Sequence, residues 1–219
     1  MIDLHTHSIF SDGELIPSEL VRRLEFMGYS AVAITDHVDS SNFDFIIPRI
    51  LQVSEDLNIF QTVKVVPGVE LTHVPPRQIS SLVAKARDLG AKLVLVHGET
   101  IAEPVAPDTN LAAIEAGADI LAHPGMISEK ESKMAAEGGV FLEISARKGG
   151  HSFTNGHVAR LAVETGASLI LNSDAHGPGD FMTREFASRV AEGAGLPSGA
   201  LKSLLDNSRR LLRRIGYTL

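Results

Sequence analysis

Short apolar runs alternate with helical stretches from one end of this chain to the other, and that alternation is what most restricts its fold. The runs are Ile2–His5, Ala31–Thr35, Lys64–Glu70, Leu93–Val96, Ile120–Ala122, Val140–Ile144 and Leu169–Leu171. Between them, segments near Pro17–Met27, Phe45–Leu57, Arg77–Leu89, Asn110–Ala116, Glu129–Ala136, Gly156–Glu164 and Asp180–Glu192 carry helix start signals of capping residues or proline. Glycines such as Gly28 and Gly90 stop them, and a terminal helix is expected near Ser198–Ile215. Strands alternating with helices of about 10–15 residues imply parallel βαβ units. The runs are apolar on both faces, as in a sheet covered outside and packed within. Seven units and a closing helix predict an α/β fold, a distorted TIM-like (β/α)7 barrel. One domain spanning 1–219 is expected, a size that buries about 70% of the unfolded surface. An open doubly wound sheet is the rival, but it gathers ligands around one switch point instead of from nearly every strand.

Metal-ligating residues recur at the ends of the runs. His5 and His7 stand two apart, which puts both side chains on one face of a strand, and Asp174 and His176 repeat that spacing near the other end of the chain. His37, Glu70, His97 and His123 each follow an apolar run, and Asp12 lies on the loop after the first strand, where it can fold back over the rim. In a parallel barrel the C-terminal strand ends converge on one rim. Buried charges are costly without partners, so imidazoles and carboxylates collected there point to a polynuclear metal site.

Composition narrows the chemistry. With no cysteine, any metal is held by imidazole and carboxylate, which favours Zn, Mn or Fe, and disulfides are excluded. A formal net charge of −7, 5% aromatic residues and no Trp argue against extended nucleic-acid binding. No apolar stretch approaches the ~20 residues that span a bilayer, so no membrane partner is expected. A cleaved leader would remove part of a site that begins at residue 5, which predicts a cytoplasmic protein.

Taken together, Asp-Leu-His-Thr-His-Ser with Ser-Asp-Gly, Ile-Thr-Asp-His, Gly-Val-Glu-Leu, His-Pro-Gly and Asn-Ser-Asp-Ala-His resemble the motifs of the polymerase and histidinol phosphatase (PHP) family over essentially the full chain. The resemblance implies a distorted (β/α)7 barrel with two or three divalent metal ions that hydrolyses phosphoesters. Carried over residue by residue, it implies that His5, His7, Glu70 and Asp174 hold one metal. Glu70 would bridge to a second on His97 and His123, and a third would take Asp12, His37 and His176. Some family members carry histidine where Asp12 stands, although aspartate is a competent hard ligand.

Close metals acidify a bound water to hydroxide and draw charge from phosphoryl oxygens, so no protein nucleophile is required. The resemblance makes Glu70 the expected catalytic bridge, and Asp174 and His176 are candidates for moving a proton to the leaving oxygen besides their expected place as ligands. Arg147, Lys148 and His151 follow the sixth strand and are expected to bind the substrate phosphate, Arg as a fork and Lys as a point charge. Glu143 is read equally as an orienter of a ligand histidine or as an ion pair. His73 and Arg77 read as surface loop, His157 as structural, Arg184 as a weak phosphate candidate and Arg209–Arg214 as a solvated helix face. The function expected is metal-dependent hydrolysis of a small phosphorylated metabolite, histidinol phosphate being one possibility. The alternatives are a phosphodiesterase or exonuclease on nucleoside bisphosphates or short oligonucleotides, a non-catalytic metal- or nucleotide-binding module, and hydrolysis of an amide or lactone.

Overall fold

Small and β-branched residues fill the strands on both faces, and the chain closes them into a parallel barrel. In the computed structural model, which describes residues 1–219, the strands are β1 (Ile2–Asp3), β2 (Ala31–Ile34), β3 (His37–Val38), β4 (Lys64–Leu71), β5 (Leu93–His97), β6 (Ile120–Ala122), β7 (Phe141–Ser145) and β8 (Leu169–Asn172). The sheet runs β1-β2-β4-β5-β6-β7-β8, all pairs parallel, with β3 beside β4. Seven strands thus follow the expected order, and the additional two-residue β3 resumes pairing with β4 where β2 leaves off.

Closure between β8 and β1 depends on side chains. A single bridge joins Thr6 to Ala175, His7 N donates to Ala175 O at 2.8 Å, and Leu4 N donates to the Asn172 side-chain oxygen at 2.9 Å. Asp3 Oδ1 accepts from Ser173 N at 3.1 Å. These contacts replace a ladder the short β1 cannot supply, which distorts the barrel at the seam carrying four of the expected ligands.

The helices are α1 (Pro17–Phe26), α2 (Phe43–Phe60), α3 (Pro76–Asp88), α4 (Thr109–Glu115), α5 (Glu129–Gly138), α6 (Asn155–Thr165), α7 (Arg184–Gly193) and α8 (Leu201–Arg214). Proline opens α1 and α3, where its missing N–H costs nothing. A Ser128–Glu131 capping box opens α5. Several boundaries shift by one to four residues from expectation, and two of the shifts have a visible cause. Helix α2 begins at Phe43 instead of Phe45, because an Asp39–Asn42 turn starts the helix and Phe43 is buried. Helix α7 begins at Arg184, after a separate 3₁₀ turn over Pro178–Asp180, because Met182 is buried and its carbonyl accepts from the Tyr29 hydroxyl.

Helix α8 packs on β8 and β1. The face expected to be solvated is only partly so. Arg209 pairs with Asp206 at the surface, but Arg210 and Arg214 lie over the Phe141 ring at 5.1 and 5.3 Å, and Arg214 also reaches Asp119 at 2.9 Å. Phe141 begins β7, so these guanidiniums cover the N-terminal end of the barrel, opposite the rim. No helix is long and apolar enough to cross a membrane.

Candidate metal centre

Alternation along β1 and its extension sends His5 and His7 inward one above the other. His5 Nε2 lies 3.3 Å from Glu70 Oε2 and 3.6 Å from Asp174 Oδ1; His7 Nε2 lies 3.6 and 3.3 Å from the same two atoms. None of these four approaches has hydrogen-bond geometry, and both Nε2 atoms and both Glu70 oxygens are buried without a hydrogen-bond partner. A tetrahedral cation with ligand bonds of about 2.0–2.1 Å holds its donor atoms about 3.3 Å apart. His5, His7 and Asp174 bring their donor atoms within 4.8 Å of one another, a set that fits a common cation, and Glu70 approaches both histidines beside it.

Around this set lie the remaining ligand-type residues. Register pairing of His37 with Glu70 brings both to one level of the rim. His176 Nε2 and His37 Nε2 approach Asp12 Oδ1 at 3.2 and 3.5 Å. Asp12 is brought there by a loop that folds tightly back: a Cβ on Gly13 would sit 2.3 Å from His7 O. Asp36 pins that loop by accepting from the backbone N–H and hydroxyl of both Ser8 and Ser11. On the other side, His97 and His123 rings stand 4.4 Å apart, and His123 Nε2 is 3.7 Å from Glu70 Oε1. Six of the nine expected ligand residues, Asp12, His37, His97, His123, Asp174 and His176, thus line one cavity of about 240 Å³ with no hydrophobic lining residue, and His5, His7 and Glu70 adjoin them from the buried side.

The electrostatics suit cations. Burial alone would raise the Glu70 carboxyl, but His5 and His37 outweigh it and hold the group well below its usual range. Glu70 is thus an ionised, wholly buried carboxylate whose nearest neighbour is His37 Nδ1, 2.8 Å from Oε2 and out of line for a hydrogen bond. Burial, with help from neighbouring histidines, pushes His7 and His123 well down, so both imidazoles stay neutral and keep a lone pair for a metal. Burial also lifts Asp174 to about 7, partly opposed by His5. For His5, burial is outweighed by Glu143, Glu70 and Asp174, which raise it.

Glu143 resolves to the orienting role. It is hydrogen-bonded to His5 Nδ1 at 2.9 Å, accepts from His123 N at 3.0 Å and from the Asn172 amide at 2.8 Å. Fixing Nδ1 from behind turns Nε2 toward Glu70 and Asp174. Its bond to His123 N holds a residue whose φ is +27°, and Asp174 (φ +53°) and His73 (φ +52°) are also left-handed, an arrangement that clusters at functional sites.

The substrate-binding candidates divide. Arg147 lines the cavity and donates to Asp174 O at 2.9 Å, with its guanidinium against the His176 ring. His151 also lines it. Lys148 does not: its ammonium donates to Gly179 O on the neighbouring loop. His73, read as surface loop, lines the mouth instead, while Arg77 lies in a separate groove beside Pro75. Arg184 acts on the Met1 amino group at the N-terminal end of β1, away from the rim. His157, bonded to Ile127 O at 2.7 Å, is structural as expected. Two lining residues escaped the sequence reading. Thr72 bonds His37 Nδ1 at 2.6 Å, and Glu103 stands among three histidines. Its carboxyl is held below the usual range by His97 first and His73 next, against partial burial. The one signal for Glu103 was its place on the loop after His97.

Fold and side-chain constellation together define a TIM-like barrel with a histidine- and carboxylate-rich centre at its C-terminal rim. The PHP domain model matches residues 3–115, and the chain belongs to the PHP family. It is 47% identical over 216 residues to an uncharacterized protein of Methanocaldococcus jannaschii, covering 97% of this chain and 99% of that one. It is 27% identical to the ribonuclease P protein component 3 of Methanosarcina barkeri, covering 97% and 88%. A candidate phosphatase of Shewanella halifaxensis is 28% identical, with 97% and 90% covered. Among solved structures, a Xaa-Pro dipeptidase shares the fold with a TM-score of 0.65 at 11% identity, over 98% of this chain and 74% of that one. A candidate metal-dependent phosphoesterase of Bifidobacterium adolescentis has a TM-score of 0.52 at 18% identity, over 100% and 97%.

Proposed function

We propose that this chain is a metal-dependent phosphoesterase that hydrolyses a small phosphorylated metabolite as a monoester. The observation that carries this reading is Glu70, wholly buried and held ionised by the imidazoles around it, beside a cavity lined by imidazoles and carboxylates. His5, His7, Glu70 and Asp174 would hold one cation, with Glu70 shared with a second on His97 and His123. Asp12, His37 and His176 would hold a third, and Zn, Mn or Fe suits such donors. When bound, such cations acidify a water near neutral pH and draw charge from a phosphoryl oxygen. Arg147, already directed at Asp174 and His176, would take a phosphoryl oxygen in a charge-assisted contact. Asp174 and His176 stand beside that position as carriers of a proton to the leaving oxygen.

The reading agrees with PHP membership and with a phosphatase-type relative along nearly the whole chain. The ribonuclease P component among the relatives raises a nucleic-acid role as the rival. Against it stands the cavity itself, which offers no phenylalanine or tyrosine on which a base could stack.

The test is phosphate release from a panel of phosphomonoesters by chelator-stripped protein reloaded with zinc, manganese or ferrous iron, with an aryl phosphodiester and an aryl acetate as comparators. Metal-dependent turnover highest on monoesters and inhibited by inorganic phosphate is expected. Arg147→Ala should lower kcat/KM on monoesters about 10- to 150-fold, the loss of a charge-assisted hydrogen bond, with metal content unchanged. Reloaded protein that turns over no monoester, or favours the diester or acetate, would overturn the proposal.

A further inference from the structure

Glu103 lies outside the nine ligand-type residues assigned above, on the loop after β5, yet its carboxylate is the meeting point of three imidazoles. Its contacts are of two kinds. His73 Nε2 is hydrogen-bonded to Oε2 at 2.9 Å and His151 Nε2 to Oε1 at 3.0 Å. His97 Nε2 approaches Oε2 at 3.2 Å without hydrogen-bond geometry. That third approach has the same character as those of His5 and His7 to Glu70 and Asp174, at 3.3–3.6 Å, where donor atoms face a shared point instead of each other. Donor atoms of His73, His97 and Glu103 all lie within 4.8 Å of one another, as do those of His97, His123 and His151.

We propose that Glu103 is a carboxylate ligand of the cation bound by His97, closing that cation from the rim loop while Glu70 reaches it from the barrel interior. The proposal rests on the metal reading of the site. His73 and His151 are positioning residues: each engages the carboxylate through a hydrogen bond, His151 at Oε1 and His73 at Oε2, and Oε2 is held directed at His97 with its second lone pair. The backbone of His73 is held at φ +52° to present its ring, a conformation a side chain adopts at a cost, and the Glu103 contact gives that cost an account. A second carboxylate has an electrostatic purpose too. An imidazole ligand brings no negative charge, so without Glu103 the only anionic ligand of the cation on His97 and His123 would be a share of Glu70. With it, that cation is matched by more negative charge and bound more tightly, and fewer of its positions are left open to water or substrate.

The experiment compares zinc binding by wild type, Glu103→Gln, His73→Ala and His97→Ala, using competition with a chromogenic chelator, together with the visible absorption of each protein loaded with cobalt. Glutamine keeps the size of Glu103 and one acceptor, so the loop is preserved and the anionic ligand is lost. Glu103→Gln is expected to weaken one zinc equivalent at least about 10-fold, leave the others in place and shift the cobalt d–d bands. His73→Ala should weaken the same equivalent less and leave the bands unmoved. Wild-type affinity and spectrum in Glu103→Gln would overturn the proposal. So would weakened binding with an unmoved spectrum, because Glu103 would then act only through its imidazole neighbours. If His97→Ala retains every zinc equivalent, the metal reading of this half of the site fails as well, a result separable from failure of Glu103 alone.

Discussion

The barrel interior and its C-terminal rim are equally buried and differ in how their polar atoms are satisfied. Val66, Val94, Leu121 and Ile170 are wholly enclosed, and so are His5, Glu70 and Glu143. In the interior, enclosure is favourable by about 25 cal/mol per Å² of apolar surface, and backbone groups are paired in the ladders. At the rim and just beneath it lie ten of the eleven buried side-chain polar atoms that lack a hydrogen bond; Ser54 Oγ is the exception. Each unpaired buried polar group costs about 1–3 kcal/mol, more when charged. Such a concentration of cost calls for something bound there that offsets it, and nine of the ten orphans are imidazole nitrogens or carboxylate oxygens, the donors a cation takes.

Asp3 tests where that distinction ends. It lies on β1 beneath His5, between the apolar interior and the rim, with Oδ2 unpaired. Burial, opposed by bonds from Ser173 and His5, raises its carboxyl from 3.8 to about 6. A raised acid holds its proton in the folded state, so its contribution to stability is intact below about pH 4 and is lost as pH rises through about 6. From the shift between 3.8 and about 6, the loss is on the order of 3 kcal/mol. Asp3→Asn in chelator-treated protein should therefore be more stable than wild type above pH 7 by on the order of 3 kcal/mol, converging with it near pH 4. Urea midpoints across that range measure it. An offset constant with pH would place Asp3 with the rim residues, needing a cation and not a proton.

Glu143 probes the same contrast from the rim side. Both its oxygens are occupied, by His5, Asn172 and His123 N, so a glutamine must set an amide N–H₂ against a donor on one side. Glu143→Gln should weaken zinc binding by about 10- to 100-fold, the usual consequence of disturbing a histidine's rear partner. Its neighbours Leu142 and Ile144 should report no loss of core packing in thermal denaturation of the metal-free protein. Unchanged affinity would show that the His5 ring is held by its own enclosure.

What the sequence made legible follows from these differences. Strand order and the convergence of nine ligand-type residues on the rim were readable because most of them stand at or just past the C-terminal end of an apolar run, a rule of local spacing, and Asp12 follows on the loop that folds back. Glu103 was not, because its partners His73 and His151 lie 30 and 48 positions away and meet it only through adjacent rim loops. Lys148 and Arg184 failed in the opposite sense. Loop position suggested the rim for both, but Lys148 turns to the Gly179 carbonyl and Arg184 starts a helix at the far end of the barrel. The role of Glu143 depended on which faces meet across the seam between β8 and β1, something no single strand encodes.

Ser128 gives the comparison its smallest and cleanest control. It follows the same strand as His123, but it and Glu131 form a capping box on α5 in which each side chain accepts from the other's backbone N–H, and neither residue lines the cavity. Ser128→Ala should cost about 1 kcal/mol of stability, as loss of an N-cap does, measured by urea denaturation. Zinc affinity should stay at the wild-type value, because Glu143 and not the α5 cap holds His123. If zinc binding fell together with stability, rim loops would transmit ordinary helix strain to the ligands. The β6 loop would then join satisfied structure and unsatisfied site in one mechanical unit.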